Sequence, residues 1–143
     1  GNPFVIEYNC RLGDPETESV LPRLVTDLLD LFQHTANQTL DNINITFDQR
    51  TAATVMMVSA GYPDEYKKGE EVEGEDKETD SIVFHAGTIV EPVTGKVITN
   101  GGRVMAVTSL AETMQEALEK SYRNIEKIFY NGKTYRRDIG FDL

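Results

Sequence analysis

The sequence predicts an α+β chain in two parts: a strand, loop and helix over residues 1–44, then a compact antiparallel β unit with one long helix over residues 45–143. Three observations carry that expectation. Apolar residues recur at three- and four-residue spacing in two stretches, bunch or alternate in short runs elsewhere, and change period near Asn44. The 143 residues, 39% hydrophobic and 27% charged, also suffice to bury a core without disulfides or a structural metal.

Each element has its own local reason. Residues 4–8, Phe-Val-Ile-Glu-Tyr, read as a short buried strand, and 9–18 as a polar loop. Residues 19–31 read as a helix whose stripe is Leu21, Leu24, Val25, Leu28, Leu29 and Phe32, with Pro22 tolerated in its first turn. A helical turn and connector follow over 35–44. Ile45 and Phe47 alternate with polar neighbours, and 52–59 is apolar enough for a strand covered on both faces. Gly61-Tyr62-Pro63 ends it in a turn. The charged run 70–80 is the expected mobile loop. Strands are expected at 82–85, 97–100 and 103–108, broken by Gly87, Gly95 and Gly101-Gly102. Ser109 with Glu112 makes a capping-box pattern before the stripe Leu110, Met114, Ala117, Leu118, Ile125, Ile128 and Phe129. Asn131-Gly132 closes that helix, and a last strand is expected within 134–139.

Fourteen basic against 24 acidic residues give a net charge of −10, which argues against nucleic acid or an anionic membrane as partner. No apolar run approaches the roughly 18 residues of a membrane span. The single cysteine, Cys10, excludes an intrachain disulfide; that suits a reducing compartment, although many secreted proteins also lack bridges, and the expected location is the cytoplasm. The start lacks a signal-peptide pattern and an initiator Met, and opens at once on Phe4-Val5-Ile6; the chain reads as a piece of something longer.

The densest chemistry lies in residues 7–18. In an extended strand, Glu7 and Asn9 share a face about 6.6 Å apart along the chain, two oxygen ligands for one point. Mg²⁺ takes few protein oxygens and keeps its other positions for water and phosphate. Arg11 shares that face if the strand persists and offers a forked donor for phosphate or carboxylate. The alternative is a strand end with solvated polar groups. Gly13-Asp14-Pro15-Glu16 is a turn by composition. Its carboxylates can grip an amine or a ribose hydroxyl; equally, Asp14 can brace the turn and Glu16 favour a helix N-terminus.

The run Val5-Ile6-Glu7-Tyr8-Asn9-Cys10-Arg11-Leu12-Gly13-Asp14-Pro15-Glu16-Thr17-Glu18 resembles the signature of the phosphoribosylamine–glycine ligase family, ATP-grasp enzymes of purine biosynthesis. Four further blocks are similar to that family in its order: Ala60-Gly61-Tyr62-Pro63 with Tyr66-Lys67-Lys68-Gly69, then Val83 to Thr88, Thr99 to Val104, and Tyr135 to Gly140. Leu12, where Phe is frequent, and the long acidic stretch depart from its pattern.

The resemblance implies the end of an ATP-grasp domain over 1–44 and a small barrel-like C-terminal domain after it. It implies ATP-dependent ligation of glycine to 5-phosphoribosylamine through a glycyl phosphate, with Mg²⁺ or Mn²⁺. Glu7 and Asn9 correspond to metal ligands, and Arg11 to a catalytic group near the transferring phosphate. Asp14, Glu16 and Arg103 correspond to substrate-binding groups. The Lys-bearing strands and glycine-rich loop that clamp the nucleotide in such enzymes are missing from this sequence, so the chain alone is expected to be inactive. Two rivals stay open: another ATP-grasp carboxylate–amine ligase or biotin-type carboxylase, and a non-catalytic assembly module.

Other residues have plainer readings. Arg103, after two glycines, is either a ligand contact or an exposed turn residue. His85 reads as a structural histidine and His34 as a helix-end contact. Cys10 reads as a buried spectator. Tyr135-Arg136-Arg137-Asp138 reads as basic surface paired with acidic neighbours.

Overall fold

The computed structural model describes residues 3–6, 8, 10–77 and 79–141. Its frame is a four-stranded antiparallel sheet with a helix on one face. Strand β1, Thr51–Ser59, lies beside β5, Arg103–Ala111, in a register running from Thr51 opposite Ala111 to Val58 opposite Arg103. Strands β2, Ile82–His85, and β6, Lys133–Tyr135, flank this pair, so the order is β2-β5-β1-β6. A separate ribbon is formed by β3, Thr88–Val90, and β4, Val97–Thr99. The sheet is open, so among the described residues there is no closed barrel of the kind the resemblance implied. Its outer strands are only three and four residues long, too short to wrap round and pair.

Helix α3, Met114–Ile125, covers one face of β1 and β5. Alternate β1 residues Ala53, Val55 and Met57 join Met105, Val107, Ala117, Leu118 and Ile125 in the core. The alternating β1 side chains Ala52, Thr54, Met56 and Val58 are only half-buried, so the strand is not sealed on both faces. Ser121 lets the helix approach closely: its hydroxyl donates to Ala53 O at 3.0 Å and lies 2.9 Å from Ser109 Oγ. Ser109 is therefore a buried β5 residue and not a cap. The cap is Thr113, which accepts from Glu116 N at 3.2 Å while Glu116 reaches back to Thr113 N at 3.3 Å. β5 keeps the expected cap Ser109 and the next two residues, Leu110 and Ala111, because each still has a pairing partner on β1. Beyond α3, Ile128 is buried, but Phe129 leaves the stripe, 62% exposed, and its backbone pairs with Glu73.

The first residues of the acidic stretch, 70–73, are laid down by backbone pairing, in contrast to the mobile loop its charge predicts. Val72 N donates to Val97 O at 2.8 Å and Glu73 exchanges backbone hydrogen bonds with Phe129 at 2.8 and 2.9 Å. Backbone pairing is indifferent to side-chain charge, and the one apolar residue there, Val72, is buried.

The N-terminal part departs most from expectation. Phe4, Val5, Ile6 and Tyr8 form no strand among the described residues and are 86, 69, 96 and 87% exposed; no neighbouring strand pairs with them. The expected single helix is two: α1, Thr17–Val20, and α2, Leu28–Ala36, which Asp27 caps by accepting from Leu29 N at 2.7 Å. Leu24 between them is extended and bridges Phe47, while Val25 N donates to Thr46 O at 3.0 Å. Strand-like pairing thus interrupts a stripe that is helical by periodicity. A short helical turn at Leu40–Asn42 follows, as the sequence suggests.

Candidate functional site

The motif turn is built by its own side chains. Glu16 folds back so that its Oε1 accepts from Gly13 N at 2.7 Å, and Thr17 donates to Gly13 O through its hydroxyl at 2.6 Å and its amide at 3.0 Å. Asp14 and Pro15 occupy the tip, joined by a cis peptide. Arg103, the first residue of β5, reaches this tip from 89 positions away in the chain. Its Nη1 donates to Asp14 O at 2.9 Å and its Nη2 lies 3.3 Å from Asp14 Oδ2. The two side chains are 38 and 50% exposed, so the pair faces water and acts through geometry more than through Coulomb energy.

The structure therefore brings together three predicted site residues, Asp14, Glu16 and Arg103. Arg11 stands exposed just before the turn, one guanidinium N–H donated to Leu12 O at 3.1 Å. Glu7 and Asn9 lie outside the described residues. Among the described residues, no group of three or more His, Cys, Asp or Glu side chains could hold a metal ion. A cleft of about 540 Å³ lined by Ser59, Glu65, Tyr66, Lys67, Glu70 and Asn131 includes none of the predicted site residues.

The residues with plainer readings fall out as follows. His34 Nδ1 lies 3.0 Å from Thr39 O and 2.9 Å from Thr39 Oγ1, the expected helix-end contact. His85 Nδ1 lies 2.9 Å from Thr88 Oγ1 at the turn into β3. Arg136 pairs with Asp138 at 2.8 Å and Arg137 lies 3.7 Å from Glu126, so the basic tail does meet acidic neighbours. Cys10 is exposed, which corrects the buried reading: without a strand at 4–8, nothing turns it inward. No helix of the described residues is long and apolar enough to cross a membrane.

Sequence reasoning missed the join between Asp14 and Arg103 and the surroundings that aim the arginine. The available signal was the pair Gly101-Gly102 directly before it, which marks close backbone approach.

An open antiparallel sheet backed by one helix, with a polar turn docked on the first residue of a central strand, defines an α+β domain that carries a preformed polar turn. The chain belongs to the family described as phosphoribosylglycinamide synthetase, C domain, whose model matches residues 52–142. It is 43% identical over 137 residues to the phosphoribosylamine–glycine ligase of Caldanaerobacter subterraneus subsp. tengcongensis, covering 96% of this chain and 32% of that protein. It is 45% identical over 139 residues to the bifunctional purine biosynthetic protein purD of Dictyostelium discoideum, covering 95% of this chain and 17% of that one. The crystal structure of phosphoribosylamine–glycine ligase from Thermotoga maritima matches with a TM-score of 0.76 at 35% identity, over 96% of this chain and 34% of that chain. The chain spans about a third of the length of the ligases it matches.

Proposed function

We propose that this chain is the C-terminal part of a phosphoribosylamine–glycine ligase of ATP-grasp type, acting in purine biosynthesis in the cytoplasm. The observation that carries the reading is the Arg-Leu-Gly-Asp-Pro-Glu turn held on β5 by Arg103, in a chain whose relatives bear that enzyme's name. On this reading residues 1–44 are the end of the ATP-grasp domain. The exposed Phe4, Val5 and Ile6, with Leu28, Leu29 and Phe32 of α2, then find cover in the rest of the enzyme.

In the reaction, a carboxylate oxygen of glycine attacks the γ-phosphorus of ATP, and ADP leaves. The amine of 5-phosphoribosylamine attacks the carbonyl of the resulting glycyl phosphate, loses a proton, and expels inorganic phosphate. Such transfers are catalysed chiefly by holding reactants in line and neutralising developing charge. Arg11 serves the transferring phosphoryl group through the guanidinium N–H groups not spent on Leu12. Asp14 and Glu16 each commit one oxygen to the turn, to Arg103 and Gly13 respectively, and offer the other to the substrate amine. Arg103 holds the turn in place and meets a substrate phosphate or carboxylate with its remaining donors.

Glu7 and Asn9 would hold the divalent ion: a carboxylate and a carboxamide oxygen are hard donors that suit Mg²⁺ or Mn²⁺. When bound, the ion supplies positive charge against the nucleotide's phosphates.

The test is ADP release dependent on both glycine and 5-phosphoribosylamine, measured on the full-length polypeptide containing this chain and on the chain alone. Release by the former and none by the latter is expected. An inert full-length protein overturns the assignment, and turnover by the chain alone overturns the argument from the missing nucleotide clamp.

A further inference from the structure

We infer that Gly87 and Ser59 are positioning residues that aim Arg103 at the Asp14 turn; the inference rests on the role of Arg103 proposed above. The register between β1 and β5 slips at this point: Met57 faces Met105 but Val58 faces Arg103, leaving Val104 as the extra residue of a bulge. From the other side, the amides of Ala86 and Gly87 both donate to Val104 O, at 3.0 and 3.1 Å. A bulge bends its strand and redirects the neighbouring side chains, and here the neighbour is Arg103.

Two contacts fix the backbone at that bend. A Cβ on Gly87 would stand 2.4 Å from Arg103 O and 2.6 Å from Gly101 Cα, so no other residue fits unless backbone moves. Both obstacles are main chain and cannot rotate aside. Opposite, the buried Ser59 donates from its amide to Gly102 O at 2.8 Å and from its hydroxyl to Gly101 O at 3.1 Å. Residues 101–103 are therefore gripped from both sides, by packing at Gly87 and by hydrogen bonds at Ser59. The arginine side chain is long and partly exposed, and its reach to Asp14 depends on where this backbone starts it.

The experiment is steady-state kinetics on the full-length enzyme, with ATP, glycine and 5-phosphoribosylamine varied in turn and thermal melting beside it. The variants are Arg103→Ala, Gly87→Ala, their double, Ser59→Ala and Ser59→Thr. Gly87→Ala is expected to lower kcat/KM for the same substrate as Arg103→Ala, on the order of 100-fold, the scale of displacing a positioned group by about an ångström. The double variant should lose no more than Arg103→Ala alone, because both changes remove one contribution. Ser59→Ala should shift the same parameter less, and Ser59→Thr, which keeps the hydroxyl, should restore it. If Gly87→Ala does not fold, the Ser59 series combined with Arg103→Ala decides by the same criterion. Losses that multiply in the double variants, or that fall equally on all three substrates and follow the melting temperature, overturn the positioning role and leave that of Arg103 standing. An Arg103→Ala enzyme with wild-type kinetics overturns both.

Discussion

Thr54 and Thr108 face each other across β1 and β5 with their hydroxyls 2.8 Å apart, and this pair anchors the N-terminal segment to the sheet. Thr108 donates to Glu18 O at 2.9 Å, and Ser19 Oγ lies 2.6 Å from Thr54 Oγ1. With its only proton given to Glu18, Thr108 must accept from Thr54, which then accepts from Ser19. The protons thus run in one direction, from Ser19 to Thr54 to Thr108 to Glu18. Helix α1 begins just after the Asp14 turn, so this chain and the Arg103 contact together dock the motif on the sheet.

Thr108→Val keeps the shape and removes the middle of that relay. Glu18 O loses its donor and the Thr54 hydroxyl its acceptor, so a loss of about 1–3 kcal/mol is expected. Urea unfolding monitored by circular dichroism measures it. An unchanged midpoint would show that water replaces the relay at no cost.

Asp48 ties acid stability to the entry of β1. Its carboxyl is held down to about 2, from an ordinary 3.8, first by the hydrogen bond from the Arg50 side chain and then by the Arg50 amide. A carboxylate with a depressed folded value stabilises the fold above its unfolded value and loses that contribution as the pH falls through the folded one. The window is therefore pH 3.8 down to about 2. Asp48→Asn should lower stability at neutral pH, flatten the acid-unfolding curve within that window, and make no difference below about pH 2. Since the pair still meets water, with Asp48 24% and Arg50 48% exposed, the effect should also shrink in high salt. An acid limb identical to wild type would remove Asp48 from the account.

The helix cap makes a clean local test. Thr113→Ala should cost about 1 kcal/mol, the usual worth of a capping threonine, by thermal or urea unfolding. Glu112→Ala, at the exposed partner position of the cap expected from sequence, should cost little. The reverse order would mean that the box sits at Ser109 and Glu112 after all.

The metal role proposed for Glu7 and the substrate role proposed for Arg103 should separate by kinetics on the full-length polypeptide. Glu7→Gln should raise the Mg²⁺ concentration needed for half-maximal rate, or cut turnover strongly, with the melting temperature nearly unchanged. Arg103→Ala should weaken substrate use with a smaller effect on metal dependence. An unchanged metal requirement in Glu7→Gln removes it as a ligand, and equal effects in both variants erase the division of roles.

Much of the β unit was legible in sequence. Strands β1, β2 and β5 are dense in β-branched and aliphatic residues, and α3 has a stripe that only a helix aligns. Strand β3 was missed because Thr-Ile-Val between two breaks is too short to have a period. The helix at 19–31 was misread for the opposite reason. Its periodicity is real, but Arg23 O and Val25 N, on either side of Leu24, pair with Asp48 N and Thr46 O, a choice made by a segment more than twenty residues away. Of the candidate site, the Gly-Asp-Pro-Glu turn was readable because its residue types close the turn themselves, as the Glu16 bond to Gly13 N shows.

Local chemistry, then, was determined by the order of residues alone: where the chain turns, which faces are apolar, and that residues 11–18 hold a distinctive polar motif. Only the tertiary structure decided that Arg103 closes on Asp14, that Ser109 is core and Thr113 is cap, and that the start of the acidic run, residues 70–73, pairs through its backbone. The reason is physical. Turns and amphipathic stripes arise from neighbours within a few residues, while a ladder between strands is made of backbone groups every residue shares, so its partners are chosen by the packing of the whole domain.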